Sequence, residues 1–397
     1  MFGLAPSVLL AGTRRPWREV DRMLKSGDAL GRLSVDDLPT PALLVDLDAL
    51  DANIAKMVAH CKSKRRALRP HGKTHKCPEI ARRLIAAGAV GACAAKLSEA
   101  EAFSRGGING LLVTTAVIGQ HKIERAVQLA QLRPDTIFCV DDARNIAELD
   151  DAARQAKVRL GLAIDLYVGN RTGIPVGQPA VELAQRISRL KNVRLAGLQA
   201  YAGHVAHRTG FEARRELSRK AMESAIGTRR LIEASGVPCP LLTGGSTGTY
   251  NIDCDLEGVT ELQPGSFLFM DIDYARIGGS DGPVYRDFRH SLTVLTTVVS
   301  KPSATEAVVD GGLKAFSTDK PFPPEAKGIL GIGFSWGGDE HGKLKLDGAS
   351  QPVSVGDRVE FVVPHCDPTV NLYDRMYCVR GKQVVAVWPI SARGMSQ

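Results

Sequence analysis

The segment RPHGKTHK places Lys73 between His71 and His75 and beside a second lysine, Lys76. An amine in such company is a candidate nucleophile, because a neighbouring cation lowers its pKa and frees the lone pair. A solvated basic loop is the plainer reading of the same letters. In LLTGGSTGTYN, residues Gly244, Gly245, Ser246, Thr247 and Gly248 follow an apolar run. Backbone N–H groups in such a loop can close on an anion, although a Gly/Ser/Thr stretch is often only a turn. DLYVGNRTGI supplies Arg171, and LQAYAGHVAHR supplies Tyr201, His204 and His207. Arg171 keeps its proton while donating hydrogen bonds, which suits a ring nitrogen or a carboxylate; a surface cation is the bland alternative. Tyr201 reads equally as a rim residue, and the two histidines as solvated loop. In VVPHCDPTVNLYD one residue separates His365 from Asp367, so in extended backbone both side chains leave one side and Cys366 the other. That is a two-ligand arrangement for a divalent cation, or else a turn with a satisfied histidine. WGGDEHGK, with Asp339, Glu340 and His341, reads better as a solvated hairpin tip than as a further source of ligands.

Barrel enzymes carry their chemistry on the polar residues that close apolar strands. Here apolar runs alternate with amphipathic stretches: TPALLVDL, RRALRPHG, GACAAKLS, INGLLVTTAV, TIFCVDD, RLGLAIDLYVG, RLAGLQAYAG and PCPLLTGGSTGTY. The pattern predicts a (β/α)8 barrel over residues 38–273, with Lys73 ending the second strand and GGSTG following the last. No Gly-rich turn follows the first strand, which argues against an open dinucleotide-binding sheet. From Tyr274 onward the texture changes to β-branched runs such as HSLTVLTTVVS and MYCVRGKQVVAVWPI, predicting a β domain over 274–397. Residues 1–37 form a leading segment expected to pack on that domain. No repeat or low-complexity linker separates the parts, so close packing is expected.

With 397 residues, 44% hydrophobic and 24% charged, the chain is neither fibrous nor disordered, and it is too long for one small core. Lys and Arg number 51 against 43 Asp and Glu, a net +8, but the cations are scattered. The scattering argues against nucleic acid, and the positive excess favours anionic small molecules. Eight cysteines lie far apart with no CxxC pair, so reduced thiols are expected. The opening MFGLAPSVLLAGTRRPW is apolar first and basic second, the reverse of a secretory signal, and its apolar part is too short to span a bilayer. A soluble cytoplasmic protein with no membrane partner is the expectation.

Taken together, RPHGKTHK, NRTG, LQAYAGH, GGSTGT, ELQPGSFLFMD and PHCDPTVN resemble, in this order, the motifs of the metal-dependent D-threonine aldolases and their relatives, the eukaryotic-type D-serine dehydratases and β-hydroxyaspartate aldolases. The resemblance runs from Leu38 to Gly394. It implies an alanine-racemase-like barrel that binds pyridoxal 5′-phosphate (PLP), a β domain that supplies a divalent metal (Mn²⁺ ahead of Mg²⁺ or Co²⁺), and a homodimer with active sites near the subunit interface. By the same resemblance Lys73 bonds the cofactor covalently with His71 beside it, Arg171 partners the pyridine nitrogen, and Tyr201 lies next to the ring. Gly244, Gly245, Ser246, Thr247 and Gly248 then hold the phosphate, and His365 with Asp367 holds the metal. The dehydratases tend to carry Cys where Asp367 stands, which favours the aldolase, a lyase that cleaves β-hydroxy-D-amino acids to glycine and an aldehyde. A D-3-hydroxy-amino-acid dehydratase, yielding ammonia and a 2-oxo acid, is the alternative; a non-catalytic PLP-binding protein is the second. Thr172 follows Arg171 where many relatives have Cys.

Overall fold

The computed structural model describes residues 15–26, 31–169 and 171–397. Its first strand, β1 (Ala42–Asp46), corrects the sequence reading, because it does not enter the barrel. It pairs antiparallel with Leu292–Ser300 and parallel with Arg375–Arg380, both from the C-terminal half of the chain. Leu43 and Val45 pack into the main core, while Ala42 and Leu44 pack under Val20, Met23, Leu33 and Val35 on the other face. A strand buried on both faces reads as one apolar run in either kind of sheet, and the run does not name its partners.

The barrel begins instead with β2 (Ala67–Leu68), followed by β3 (Ala92–Ala94), β4 (Leu111–Val113), β5 (Ile137–Val140) and β6 (Leu160–Tyr167). A short β7 (Ile174–Pro175) pairs on the end of β6, and β8 (Val193–Ala200), β9 (Leu241–Gly244) and β10 (Glu261–Leu262) complete the set. The parallel order is β2-β10-β9-β8-β6-β5-β4-β3. Hydrogen bonds from Val90 N to Leu68 O and from Cys93 N to Pro70 O, both 2.9 Å, join the two ends. Helices alternate with the strands as the apolar periodicity predicts. Pro78–Ala87, for example, opens with Pro and closes on Gly88 at φ 118°, a left-handed conformation that suits glycine.

The eighth barrel strand, β10, contains Glu261, whose charge is neutralised inside the barrel. Arg69 Nε and Nη2 reach its two carboxylate oxygens at 3.0 and 2.9 Å, and Thr243 Oγ1 donates to it at 2.8 Å. Removing one member of such a pair strands the other in low dielectric. Glu261→Ala is therefore expected to lower the unfolding free energy by about 3–5 kcal/mol, measured as a shift of the urea midpoint. A loss below ~1 kcal/mol would mean that water reaches Arg69.

The C-terminal strands are β11 (Leu292–Ser300), β12 (Glu306–Val309), β13 (Glu325–Ala326), β14 (Gly333–Trp336), β15 (Gly342–Lys345), β16 (Arg358–Val362), β17 (Arg375–Arg380) and β18 (Gln383–Pro389). They form a mostly antiparallel sheet in the order β14-β15-β12-β11-β1-β17-β18, with β16 on β11 and β13 on β16. The helix Trp17–Ser26 and residues 33–38 cover one face of this sheet through Val20, Met23, Leu33, Val35 and Leu38. The rest of the leading segment, residues 1–14 and 27–30, lies outside the described residues. All eight cysteines are free and buried. Among the described residues, no helix is long and apolar enough to cross a membrane.

Candidate active site

With β1 outside the barrel, Lys73 follows the first barrel strand and the Gly244–Gly248 loop follows the seventh, one place earlier than the sequence predicts in each case. Lys73 sits in a single 3₁₀ turn, Gly72–Thr74, which His71 caps: its Nδ1 accepts from Lys73 N at 3.4 Å. Burial drives the His71 ring well below its ordinary pKa, and the Lys73 charge pushes the same way. The neutral ring thus keeps its proton on Nε2, 3.3 Å from Thr114 Oγ1. The turn lies flat against the helix Leu97–Arg105, and a Cβ at Gly72 would stand 2.4 Å from the Phe103 ring.

Lys73 extends into a cavity of about 250 Å³ that is also lined by His71, Arg171, Tyr201, Asp165 and Gln199. Its Nζ lies 4.0 Å from Asp367 Oδ2 and 5.8 Å from the centroid of the Tyr201 ring. The Arg171 guanidinium lies 5.1 Å from that ring. Burial opposes the Lys73 ammonium, but Tyr201 and Asp367 outweigh it and the pKa is raised. This reverses the expectation of an amine depressed by cationic neighbours. His75 is held down to about 3, chiefly by burial, so it carries no charge near neutrality. The Lys76 amine is paired with Glu99 Oε1 at 2.5 Å.

Sequence reasoning passed over the cavity floor. Asp165 and Gln199 are register partners on β6 and β8, and Gln199 Nε2 donates to Asp165 Oδ1 at 2.9 Å. Thr172 Oγ1 donates to the other oxygen at 2.8 Å, which gives the residue after Arg171 a definite place in the site. Burial raises the Asp165 pKa, and these two hydrogen bonds act against it. The available signal was a carboxylate and an amide near the ends of otherwise apolar strands.

The Gly244–Gly248 loop is rigidly seated. A Cβ at Gly244 would lie 2.0 Å from Ala200 O, and one at Gly248 would lie 2.2 Å from Ala206 O. Arg214, with 0% exposure, donates from Nε to Gly248 O at 2.7 Å and from its other nitrogens to the carbonyls of Arg208, Ile277 and Gly278. Thr247 Oγ1 accepts from Phe267 N at 2.9 Å, and Ser246 N donates to Thr249 Oγ1 at 3.0 Å. The loop and the His365–Asp367 pair are not among the residues lining the Lys73 cavity, although Asp367 reaches Lys73 itself.

His365 and Asp367 do not lie on a common extended stretch. His365 is the extended N-cap of a short helix, Cys366–Val370, and Asp367 is in its first turn. Cys366 N donates to the fully buried Asp271 Oδ2 at 2.9 Å, which anchors the turn. Burial works against the charge of Asp367, but Lys73 and His365 prevail and its pKa is lowered. His365 Nδ1 lies 2.7 Å from Asp319 Oδ2. Among the described residues, no group of three or more His, Cys, Asp or Glu side chains is gathered to hold a metal. A cation on the pair would therefore complete its shell with water or substrate oxygens. Asp339 and Glu340 pair with Lys314 at 3.7 and 2.7 Å on an exposed hairpin tip. His204 is exposed, whereas His207 and Lys320 both meet Asp273 Oδ2 at 2.7 Å; although burial opposes it, they hold that carboxyl down to about 2.

Residues 45–273 match the family model of the alanine racemase N-terminal domain, and residues 291–379 match a serine dehydratase domain. The chain is 39% identical over 372 residues to a D-threonine aldolase from an Arthrobacter species, spanning 94% of this chain and 96% of that protein. It is 37% identical to a 3-hydroxy-D-aspartate aldolase from Paracoccus denitrificans strain Pd 1222, covering 92% and 95% of the two chains. The crystal structure of D-threonine aldolase from Filomicrobium marinum superposes with a TM-score of 0.88 at 37% identity, over 93% of this chain and 99% of that one.

Proposed function

The chain belongs to the D-threonine aldolase and D-serine dehydratase family of fold-type III PLP enzymes and is a carbon–carbon lyase, and from that premise we propose that it cleaves β-hydroxy-D-amino acids to glycine and an aldehyde. In this reading it uses PLP and a divalent metal, Mn²⁺ first, and works as a homodimer. One observation carries it: a barrel lysine and a carboxylate of the C-terminal half meet at 4.0 Å, so a cofactor on one and a cation on the other would share one substrate.

The residues fit both groups. For PLP, Lys73 offers the amine and Tyr201 an aromatic face. The Gly244–Gly248 loop offers backbone at positions where Gly244 and Gly248 have no room for a side chain. For the metal, imidazole and carboxylate form a donor set suited to Mn²⁺, Mg²⁺ or Co²⁺ more than to a soft ion. When bound, PLP accepts the electrons of the bond broken at Cα.

The chain's own residues account for the rest. Arg171 would donate to the ring nitrogen without giving up a proton, as a guanidinium does, which would limit delocalisation and suppress racemisation. His365 and Asp367 would hold the cation, and a cation there would supply Lewis acidity to a β-hydroxyl and orient the Cα–Cβ bond for cleavage. Lys73, freed from the cofactor when substrate takes its place, would return a proton to Cα as glycine forms.

The test is incubation of the purified protein with D-threonine, PLP and Mn²⁺. Glycine with acetaldehyde supports the aldolase; ammonia with a 2-oxo acid transfers the site to the dehydratase. D-threonine and D-allo-threonine should both react within about tenfold of each other, since the metal asks only for an oxygen on Cβ, which is worth roughly 1.4 kcal/mol or less of discrimination. L-threonine should give no glycine above background. Comparable turnover of L-threonine would sink the stereochemical part of the reading.

A further inference from the structure

We propose that Asp319 is a positioning residue for the metal: its carboxylate fixes His365 in the Nδ1–H tautomer and leaves Nε2 as the free lone pair that binds the cation. The inference rests on the metal reading above and deepens it.

Asp319 Oδ2 lies 2.7 Å from His365 Nδ1, within the range of a charge-assisted hydrogen bond. An ionised carboxylate only accepts, so the proton belongs to Nδ1 and the other ring nitrogen is bare. Asp319 is 43% exposed at its side chain, and an isolated ion pair that open would count for little. The segment that presents it, however, is tied down on both sides. Ser317 Oγ accepts from His365 N and lies equally close to its carbonyl, both at 3.1 Å, while Ser317 N donates to Thr369 Oγ1 at 3.1 Å. On the far side Lys320 Nζ meets Asp273 Oδ2 at 2.7 Å. Asp319 is therefore delivered to the ring by backbone that the metal-bearing helix and residue 273 both hold. Carboxylates placed behind a ligating histidine orient the ring and raise its basicity, and losing one typically costs 10–100-fold in metal affinity.

The experiment is calorimetric titration of Mn²⁺ into chelated full-length protein loaded with PLP, comparing wild type with Asp319→Ala, Asp319→Asn and His365→Ala. For Asp319→Ala the expected result is a dissociation constant raised about 10–100-fold, with unchanged visible absorbance and most of kcat recovered at saturating Mn²⁺. Asp319→Asn retains a carbonyl that can accept from Nδ1–H and should lose less. His365→Ala should lose the site. Unchanged Mn²⁺ affinity in Asp319→Ala overturns the proposal, and so does a loss as complete as in His365→Ala, which would make Asp319 a ligand itself. If wild type binds no Mn²⁺ at all, the metal reading fails and this inference goes with it, an outcome distinct from both.

Discussion

Chelated protein, and the Asp367→Ala variant, should keep the visible absorbance of bound PLP while cleavage of D-threonine falls about a hundredfold or more. The reason is division of labour. Lys73 and Gly244–Gly248 stand on the barrel, whereas His365 and Asp367 come from the cap and first turn of a helix of the C-terminal half, so removing the cation leaves every proposed cofactor residue in place. Polarising a reacting oxygen is worth several kcal/mol, and about 1.4 kcal/mol is tenfold in rate, which sets the scale. Mn²⁺ should restore chelated wild type and do little for Asp367→Ala. Asp367→Cys is the sharper variant: it places here the cysteine that the resemblance associates with the dehydratases and should move products toward ammonia, although a thiolate also favours Zn²⁺. Full activity in protein whose measured metal content is near zero would return the His365–Asp367 turn to a structural role.

What the letters revealed follows from what kinds of residue chemistry requires. Lys73 and the glycine loop could be singled out as candidates because a strand-end amine and a side-chain-free loop stand out from their apolar surroundings, although each also has a plain structural reading. The partners of β1 were not legible, since the run ALLVD is equally apolar whether its neighbours are Leu292–Ser300 and Arg375–Arg380 or two barrel strands. β10 escaped because it is two residues long and half polar, its Glu261 made tolerable chiefly by an Arg69 far away in sequence. A shorter separation also hid Asp319, which reaches His365 across 46 residues and sits among turn-like letters. Spacing did pick out His365 and Asp367, but from an extended geometry; the backbone turns into a helix after His365 because Cys366 N finds the buried Asp271. The predicted depression of Lys73 failed for a related reason. Counting nearby basic letters ignores burial, which makes His71 and His75 neutral, and ignores Asp367, which arrives from the other half of the chain.

Lys73→Ala should abolish visible absorbance and lower cleavage by at least about 10²–10⁴-fold, the range expected when a positioned proton-transfer group is lost, with loss of the covalent attachment added to it. Borohydride treatment of wild type should fix the cofactor to the peptide containing Lys73; a label elsewhere would make the cofactor assignment wrong. The pH dependence of attachment carries more information than the end point. Only the free amine attacks a carbonyl, and in the cofactor-free site Tyr201 and Asp367 hold the Lys73 pKa above its usual value despite burial. Attachment should therefore be slow at neutral pH and accelerate as pH rises toward that raised pKa. Asp367→Asn removes the carboxylate beside Lys73, so its profile should rise at lower pH, giving faster attachment than wild type under neutral conditions even though the variant cleaves poorly. A divalent cation on the His365–Asp367 pair offsets the same carboxylate charge and should shift the wild-type profile in the same direction. If Asp367→Asn and wild type attach the cofactor with identical pH profiles, the 4.0 Å approach of Asp367 to Lys73 has no electrostatic consequence, and the coupling between the two halves of the site must be carried by the substrate alone.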